Sequence, residues 1–210
     1  MITPISAMCG KMANGRSDTM SYLFYVTGPS GSGKDSLING LRDRLGGDHA
    51  VLFAHRYITR CWKAGGENHV ELSVSEFQQR SQFGLFSMEW QANNCCYAIG
   101  TEIDSWLNSG HSVVVNGSRA HLEEAISHFG ERLIPILIMV DPDNLRERLL
   151  NRGREHASEI DARIARNLKF ELNLYGRAVE LANNGDLATA VDRFYDIVMQ
   201  YVGTCCDAEN

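Results

Sequence analysis

The stretch Gly28-Pro29-Ser30-Gly31-Ser32-Gly33-Lys34-Asp35-Ser36 is the part of this sequence best equipped for chemistry. It fits the pattern G-x-x-x-x-G-K. Glycines let the main chain turn until several N–H groups converge on one phosphate group. A helix starting at the end of such a loop adds a favourable dipole. Lys34 supplies a mobile cation for a phosphoryl group in transfer. All nine residues are therefore expected to cradle the phosphates of a nucleotide such as ATP. The pattern usually places Ser or Thr after the lysine, as a magnesium ligand, but Asp35 stands there. A carboxylate is a good ligand for a hard cation. Asp35 is thus the expected Mg²⁺ contact, with Ser36 as an alternative. The plainer reading of Asp35 is a first-turn residue that complements the helix dipole.

A second group of residues suits an anionic acceptor. Arg56, Arg60 and Lys63 form a basic cluster, and Glu67, Glu89, Trp90 and Tyr97 follow in the same polar and aromatic region. Cations opposite a phosphate loop are what a phosphorylated acceptor requires. Asn116-Gly117-Ser118-Arg119 comes directly after the apolar run Val113 to Val115. That puts Arg119 at the carboxyl end of a strand, where ligands bind in open parallel sheets, and makes it an expected phosphate ligand.

A third basic group comprises Arg146, Arg148, Arg152, Arg154, Arg163 and Arg166. Arg152-Gly153-Arg154 falls between two expected helices and can form a lid that closes over phosphates and expels water. Arg146 and Arg148 read as solvent-facing, or paired with Glu147 and Asp143. No carboxylate stands after Val115 to act as a base, and none of the seven histidines is placed as one. A phosphate acceptor needs none, since its second pKa lies near 6. The remaining difficulty is repulsion between two anions, which Arg, Lys and Mg²⁺ relieve. This favours transfer from phosphate to phosphate.

These groups must be positioned by regular elements. Tyr22 to Val26 predicts a strand. Lys34 to Leu45 predicts a helix, with Leu37, Ile38, Leu41 and Leu45 at helical spacing and Gly46-Gly47 as its stop. Strands are expected at Val51 to Ala54, His69 to Val74, Val113 to Val115 and Leu133 to Val140. Helices are expected from Ser75, at Thr101 to Asn108, Ala120 to Phe129 and Asp141 to about Asn151, then over 158–182 and 187–202. Alternating strands and helices point to an α/β, three-layer fold with a parallel sheet. Residues 56–100 break that rhythm and read as a small irregular lobe over the sheet edge. The expected organisation is a poorly ordered leader (1–20, with Met1 and Met20 both candidate starts), one domain (21–203), a lid near 151–160 and a short tail (204–210).

Composition sets outer bounds. A chain of 210 residues, 44% hydrophobic and 22% charged, is an ordinary globular domain, which excludes collagen-like and disordered classes. The net charge of −6 argues against general nucleic-acid binding through counterion release. The longest apolar run, Leu133 to Val140, contains Pro135 and is too short to span a bilayer, and Met1 to Thr19 has no apolar stretch of signal-peptide length. The six cysteines form no C-x-x-C and read as small buried thiols in a reducing cytosol, so a cytoplasmic protein is expected. A homodimer is compatible with the sequence but not required by it.

Taken together, several segments resemble the guanylate-kinase-like branch of P-loop kinases, and within it the ribose 1,5-bisphosphate phosphokinases of phosphonate degradation. The resemblance rests on GPSGSGKDSL (28–37), HRYITR (55–60), GENHVELSVSEF (66–77), FSMEWQANNCCYAIG (86–100), VVVNGSR (113–119) and NRGRE (151–155). It implies a P-loop kinase fold and ATP-dependent phosphorylation of the anomeric phosphate of ribose 1,5-bisphosphate, giving 5-phosphoribosyl 1-diphosphate. It further implies that Arg60 and Lys63 grip the acceptor phosphate, that Glu89 and Tyr97 line the acceptor site, and that Arg152 and Arg163 act with Lys34 as lid and catalytic cations. One departure matters. Guanylate kinases carry an acidic pair where this chain has Asn116 to Arg119, so an acidic contact to guanine is missing and a cation is added. Conversion of GMP to GDP, and an inactive protein-binding module, stand as the alternatives.

Overall fold

A computed structural model describes residues 20–47, 50–64, 67–152, 160–162, 164–165 and 178–203. Its central strand, β1 (Leu23–Thr27), is buried along its whole length. It lies in a five-stranded parallel sheet of order β2 (Val51–Phe53), β7 (Ser112–Asn116), β1, β8 (Leu133–Met139) and β9 (Val179–Ala182). The pairings place Tyr25 beside Val115 on one side and Pro135 on the other. Near-continuous apolar strands such as β1 and β7 belong in a sheet covered on both faces.

Helices supply that cover. Alternate side chains of β1 point to opposite faces. Leu23 and Tyr25 pack with Ile103 and Leu107 of α3 (Glu102–Asn108) and Leu122 of α4 (Leu122–Phe129). Phe24 and Val26 pack with Leu37 and Leu41 of α1 (Lys34–Leu45) and with Val191, Phe194 and Val198 of α6 (Leu187–Val202). Burying one such leucine or phenylalanine contributes about 1.5–3 kcal/mol. The three-layer α/β arrangement is the expected one, and α1 and α6 have the expected bounds. Asp186 caps α6 by accepting a hydrogen bond from the Thr189 N–H at 3.0 Å.

The region from 56 to 100 is more regular than its sequence suggests. It forms a second sheet of order β4 (Val70–Glu71), β3 (Arg56–Ile58), β6 (Cys95–Gly100) and β5 (Phe86–Ala92). Strands β5 and β6 are antiparallel and meet at Asn93 and Asn94, whose φ angles are 48° and 60°. Helix α2 (Val74–Gln82) covers this sheet through Phe77, beside Leu72 and Ala98. The strand expected to reach Val74 stops at Glu71, because the Ser73 hydroxyl accepts from the Glu76 N–H and starts the helix.

Two further differences concern helices. The one expected from Ala120 opens as a 3-10 turn at Arg119–His121 before α4. The long helix expected over 158–182 ends in a strand instead. Residues 160–162 and 164–165 are helical, but β9 pairs parallel to β8, Ile136 opposite Val179. Glu, Leu and Ala are good helix formers, and an open sheet edge at β8 overrides that preference. Cys61 is exposed and Cys95 and Cys96 are half-buried, unlike the buried thiols expected. No helix among the described residues is long and apolar enough to cross a membrane. The expected leader, the tail and most of the lid lie outside the described residues.

Candidate active site

The loop between β1 and α1 is folded as an anion cradle. Gly31 and Gly33 have φ angles of 93° and 84°, in the region that favours glycine. The Ser32 N–H closes a turn on the Pro29 carbonyl at 3.1 Å. Helix α1 starts at Lys34, so its first N–H groups open toward the loop without intrahelical acceptors. Lys34 folds back, and its Nζ donates to the carbonyls of Gly28 and Pro29 at 2.9 and 3.0 Å. Burial pushes the Lys34 ammonium down from 10.5 to about 8. Asp35 and Glu67 oppose that shift, while Arg56 and Arg119 add to it. Those four groups therefore share the electrostatic surroundings of Lys34.

Asp35 and the end of β7 meet beside the cradle. The Asn116 Nδ2 donates to Asp35 Oδ1 at 2.7 Å. Asn116 is 7% exposed, and its Oδ1 is buried without a hydrogen-bond partner among the described residues. A carboxylate next to an orphaned amide oxygen is an oxygen-donor set suited to a hard cation. Ser36, the alternative ligand, is exposed on α1.

The loop after β7 is held by Tyr25. The Tyr25 hydroxyl accepts from the Ser118 N–H at 2.9 Å and donates to the Ser118 carbonyl at 3.0 Å. Burial pushes this phenol up to about 12. A Cβ at Gly117 would overlap the Tyr25 ring, so only glycine lets the loop lie on it. This fixes where Arg119 starts, and burial draws its guanidinium below the ordinary arginine value.

Across from the loop, Glu67 organises the lobe's cations. Arg56 pairs with it in a two-pronged contact, and Arg60 reaches it at 3.4 Å. The Arg56 guanidinium lies 5.2 Å above the Tyr97 ring. Tyr97 stacks on Trp90 at 5.7 Å, and Trp90 on His121 at 5.5 Å. His121 is paired with Glu124 at 3.1 Å. Tyr97 is only 6% exposed, so its ring is part of this ladder. Lys63 is exposed and rests over Trp62 at 5.7 Å. Glu89 is exposed on β5, accepts from the Ser81 hydroxyl at 3.0 Å, and borders a cavity of about 260 Å³ shared with Ser87, His121, Glu124 and His128.

Known proteins can be set against this geometry. A family model described as an AAA domain matches residues 25–169. The ribose 1,5-bisphosphate phosphokinase PhnN of Desulfomicrobium baculatum is 56% identical over 169 residues, covering 80% of this chain and 89% of the relative. The enzyme of the same name from Klebsiella pneumoniae is 46% identical over 186 residues, covering 88% of this chain and 96% of the relative. The chain belongs to the ribose 1,5-bisphosphate phosphokinase family. Among solved structures it is similar to guanylate kinase from Anaplasma phagocytophilum, with a TM-score of 0.63 over 90% of each chain and 15% identity. That likeness shows a guanylate-kinase-like fold and nothing finer.

In this member of the phosphokinase family, the fold brings Lys34, Asp35, Arg56, Glu67 and Arg119 into one electrostatic neighbourhood. Arg60 joins it through Glu67, whereas Lys63 and Glu89 sit toward the lobe's surface. Arg152 is the last residue of α5 (Pro142–Arg152), and Arg163 lies outside the described residues. Arg146 faces solvent, as one expectation had it, and pairs with Asp161 at 2.8 Å. Arg148 turns its Nη1 to within 3.9 Å of the point where a Cβ on Gly33 would sit, so it faces the loop and not only solvent.

Sequence reasoning passed over Asn183, whose Nδ2 donates to the Ser32 carbonyl at 2.7 Å. Nothing local marks it. The Glu67 pairing was missed for the same reason, since its partners converge only when the lobe folds. The β5–β6 hairpin, by contrast, carried a usable signal in adjacent asparagines flanked by strand-like residues.

Proposed function

We propose that this chain transfers the γ-phosphoryl group of ATP to the anomeric phosphate of ribose 1,5-bisphosphate, giving 5-phosphoribosyl 1-diphosphate. The observation that carries this reading is the relationship to phosphokinases of that name at 56% and 46% identity over at least 80% of the chain. The site's chemistry agrees with it. Gly28 to Ser36 receive the triphosphate. Lys34 leaves the loop carbonyls for the transferring group, a move helped by the weakness of two neutral acceptors compared with a phosphate. Arg56, Arg60 and Arg119 offset the charge of a doubly phosphorylated sugar, with Arg152, Arg163 and Lys63 as further cations.

Asp35 would hold a Mg²⁺ ion, with the Asn116 Oδ1 as a further oxygen donor; the carboxylate beside an orphaned amide oxygen supports that reading. Such an ion, when bound, neutralises phosphate charge. Asn116 stands where a base would stand for a hydroxyl acceptor, and it cannot take a proton. A phosphate acceptor is already dianionic at neutral pH. The accepting group is therefore read as a phosphate, and the relatives' name points to that of a sugar bisphosphate.

The test runs ADP release with ribose 1,5-bisphosphate and with GMP in parallel, and reads the product by phosphorus NMR. A new pair of coupled diphosphate resonances from the sugar substrate is expected. Turnover on GMP with none on the sugar bisphosphate would overturn the assignment.

A further inference from the structure

Asn183 directly follows β9 and is 3% exposed. Its own N–H donates to the Met139 carbonyl at 2.9 Å, so its backbone is fixed to the end of β8. Its side-chain amide reaches the Ser32 carbonyl at 2.7 Å across 151 residues of sequence. The acceptor there is a carbonyl, so the NH₂ and not the oxygen must face it. A Cβ on Gly33 would lie 2.6 Å from the same Nδ2, so amide and loop are in tight contact.

A trans peptide points its C=O and its N–H in opposite directions. With the Ser32 carbonyl turned to Asn183, the Gly33 N–H is turned away from it, onto the concave side where α1 opens. Without that hold, the peptide joining Ser32 to the left-handed Gly33 is free to rotate. Its carbonyl would then face the phosphates, and two negative groups would meet.

We propose that Asn183 is a positioning residue for the nucleotide, locking the Ser32–Gly33 peptide so that the Gly33 N–H faces the phosphates. This rests on the nucleotide-dependent kinase reading above. Asn184, next in sequence, serves a different task. Its side-chain oxygen accepts from the Asp141 N–H at 2.7 Å and its carbonyl from Asn144 at 3.3 Å, both at the start of α5. It therefore provides a matched control that leaves the Ser32 contact intact.

The experiment measures MgADP binding by calorimetry to the wild-type chain, Asn183→Leu, Asn183→Asp and Asn184→Ala, with thermal unfolding of each. Both Asn183 variants keep the size of the side chain and lose the donor. They are expected to bind MgADP at least ~5-fold more weakly, the effect of one lost hydrogen bond to a buried carbonyl. The KM for the sugar bisphosphate should stay within about two-fold, and Asn184→Ala should bind MgADP as the wild type does. The Gly33 amide ¹⁵N resonance should move on MgADP addition in the wild type, and move less in the Asn183 variants.

Wild-type affinity in either folded Asn183 variant would overturn the proposal. So would equal losses for nucleotide and acceptor together with a lowered unfolding temperature, which would mark a general structural role. A wild-type chain that fails to bind MgADP would overturn the kinase reading itself, a result the variants cannot mimic.

Discussion

Replacing Asn116 with aspartate tests the reading of the cation site most directly. The change is nearly isosteric and exchanges the amide that donates to Asp35 at 2.7 Å for a second carboxylate. Two like charges about 4 Å apart repel by about 4 kcal/mol at the effective dielectric of a protein surface. The lost hydrogen bond adds a cost of about 1–3 kcal/mol. Proton uptake by one carboxyl limits the total, so a loss of about 2–5 kcal/mol at neutral pH is expected. For a chain of this size each kcal/mol lowers the unfolding temperature by about 2–4 °C, giving a drop on the order of 10 °C.

The pH dependence has a definite sign. In the variant, one carboxyl has a folded pKa raised above the ordinary value near 3.9. The folded state then binds more protons, so the penalty is absent at low pH and grows as pH rises through the folded pKa. Calorimetric or dichroism melts of Asn116→Asp and wild type between pH 4 and 8 should therefore diverge with rising pH. Added Mg²⁺ should narrow the gap, because a cation held between the carboxylates relieves their repulsion. Combining Asn116→Asp with Asp35→Ser moves the single carboxylate across the site and should recover most of the stability. Equal melts at every pH, or a gap that Mg²⁺ leaves untouched, would refute the claim that Asp35 and residue 116 share one cation-binding position.

Lys34→Ala should slow turnover at least ~10- to 150-fold, the effect of about 1.5–3 kcal/mol in one charge-assisted contact, as read in steady-state ADP release. Gly117→Ala should cost about 1–3 kcal/mol in denaturant unfolding, because the new methyl group has nowhere to go but the Tyr25 ring. Burial holds His121 below its ordinary value, with Glu124 opposing. Between that lowered pKa and about 6.5 the unfolded chain binds the extra proton. Stability should thus fall as pH drops below about 6.5, and the slope should flatten in His121→Phe if urea melts are compared from pH 5 to 8.

Local rules carried far where the deciding interactions are local. The phosphate loop was legible because glycine conformations, a helix start and one lysine lie within nine residues, and each acts on its neighbours. The bounds of α1 followed from leucine and isoleucine spacing, and α6 fills the expected 187–202, its apolar face and the Asp186 cap giving the physical reason. Buried strands such as β7 and β8 announced themselves as apolar runs too short for anything else.

Other features depended on partners distant in sequence. Residues 179–182 have helix-forming composition and become a strand because the edge of β8 offers hydrogen bonds. Arg56 and Arg60 looked like a plain basic cluster until Glu67 was seen to bind both. Asn116 read as the absence of a base, and only the fold set its amide against Asp35. Asn183 had no signal at all, since its partner lies 151 residues away. What the sequence alone determined was the chemistry available: a phosphate cradle, a mobile ammonium and a surplus of guanidinium groups nearby. Which cations face Lys34, which are neutralised by carboxylates, and how the loop's peptides are turned were decided by the tertiary structure. Charge and hydrogen-bond interactions depend on distance through space, and distance along the chain does not fix it.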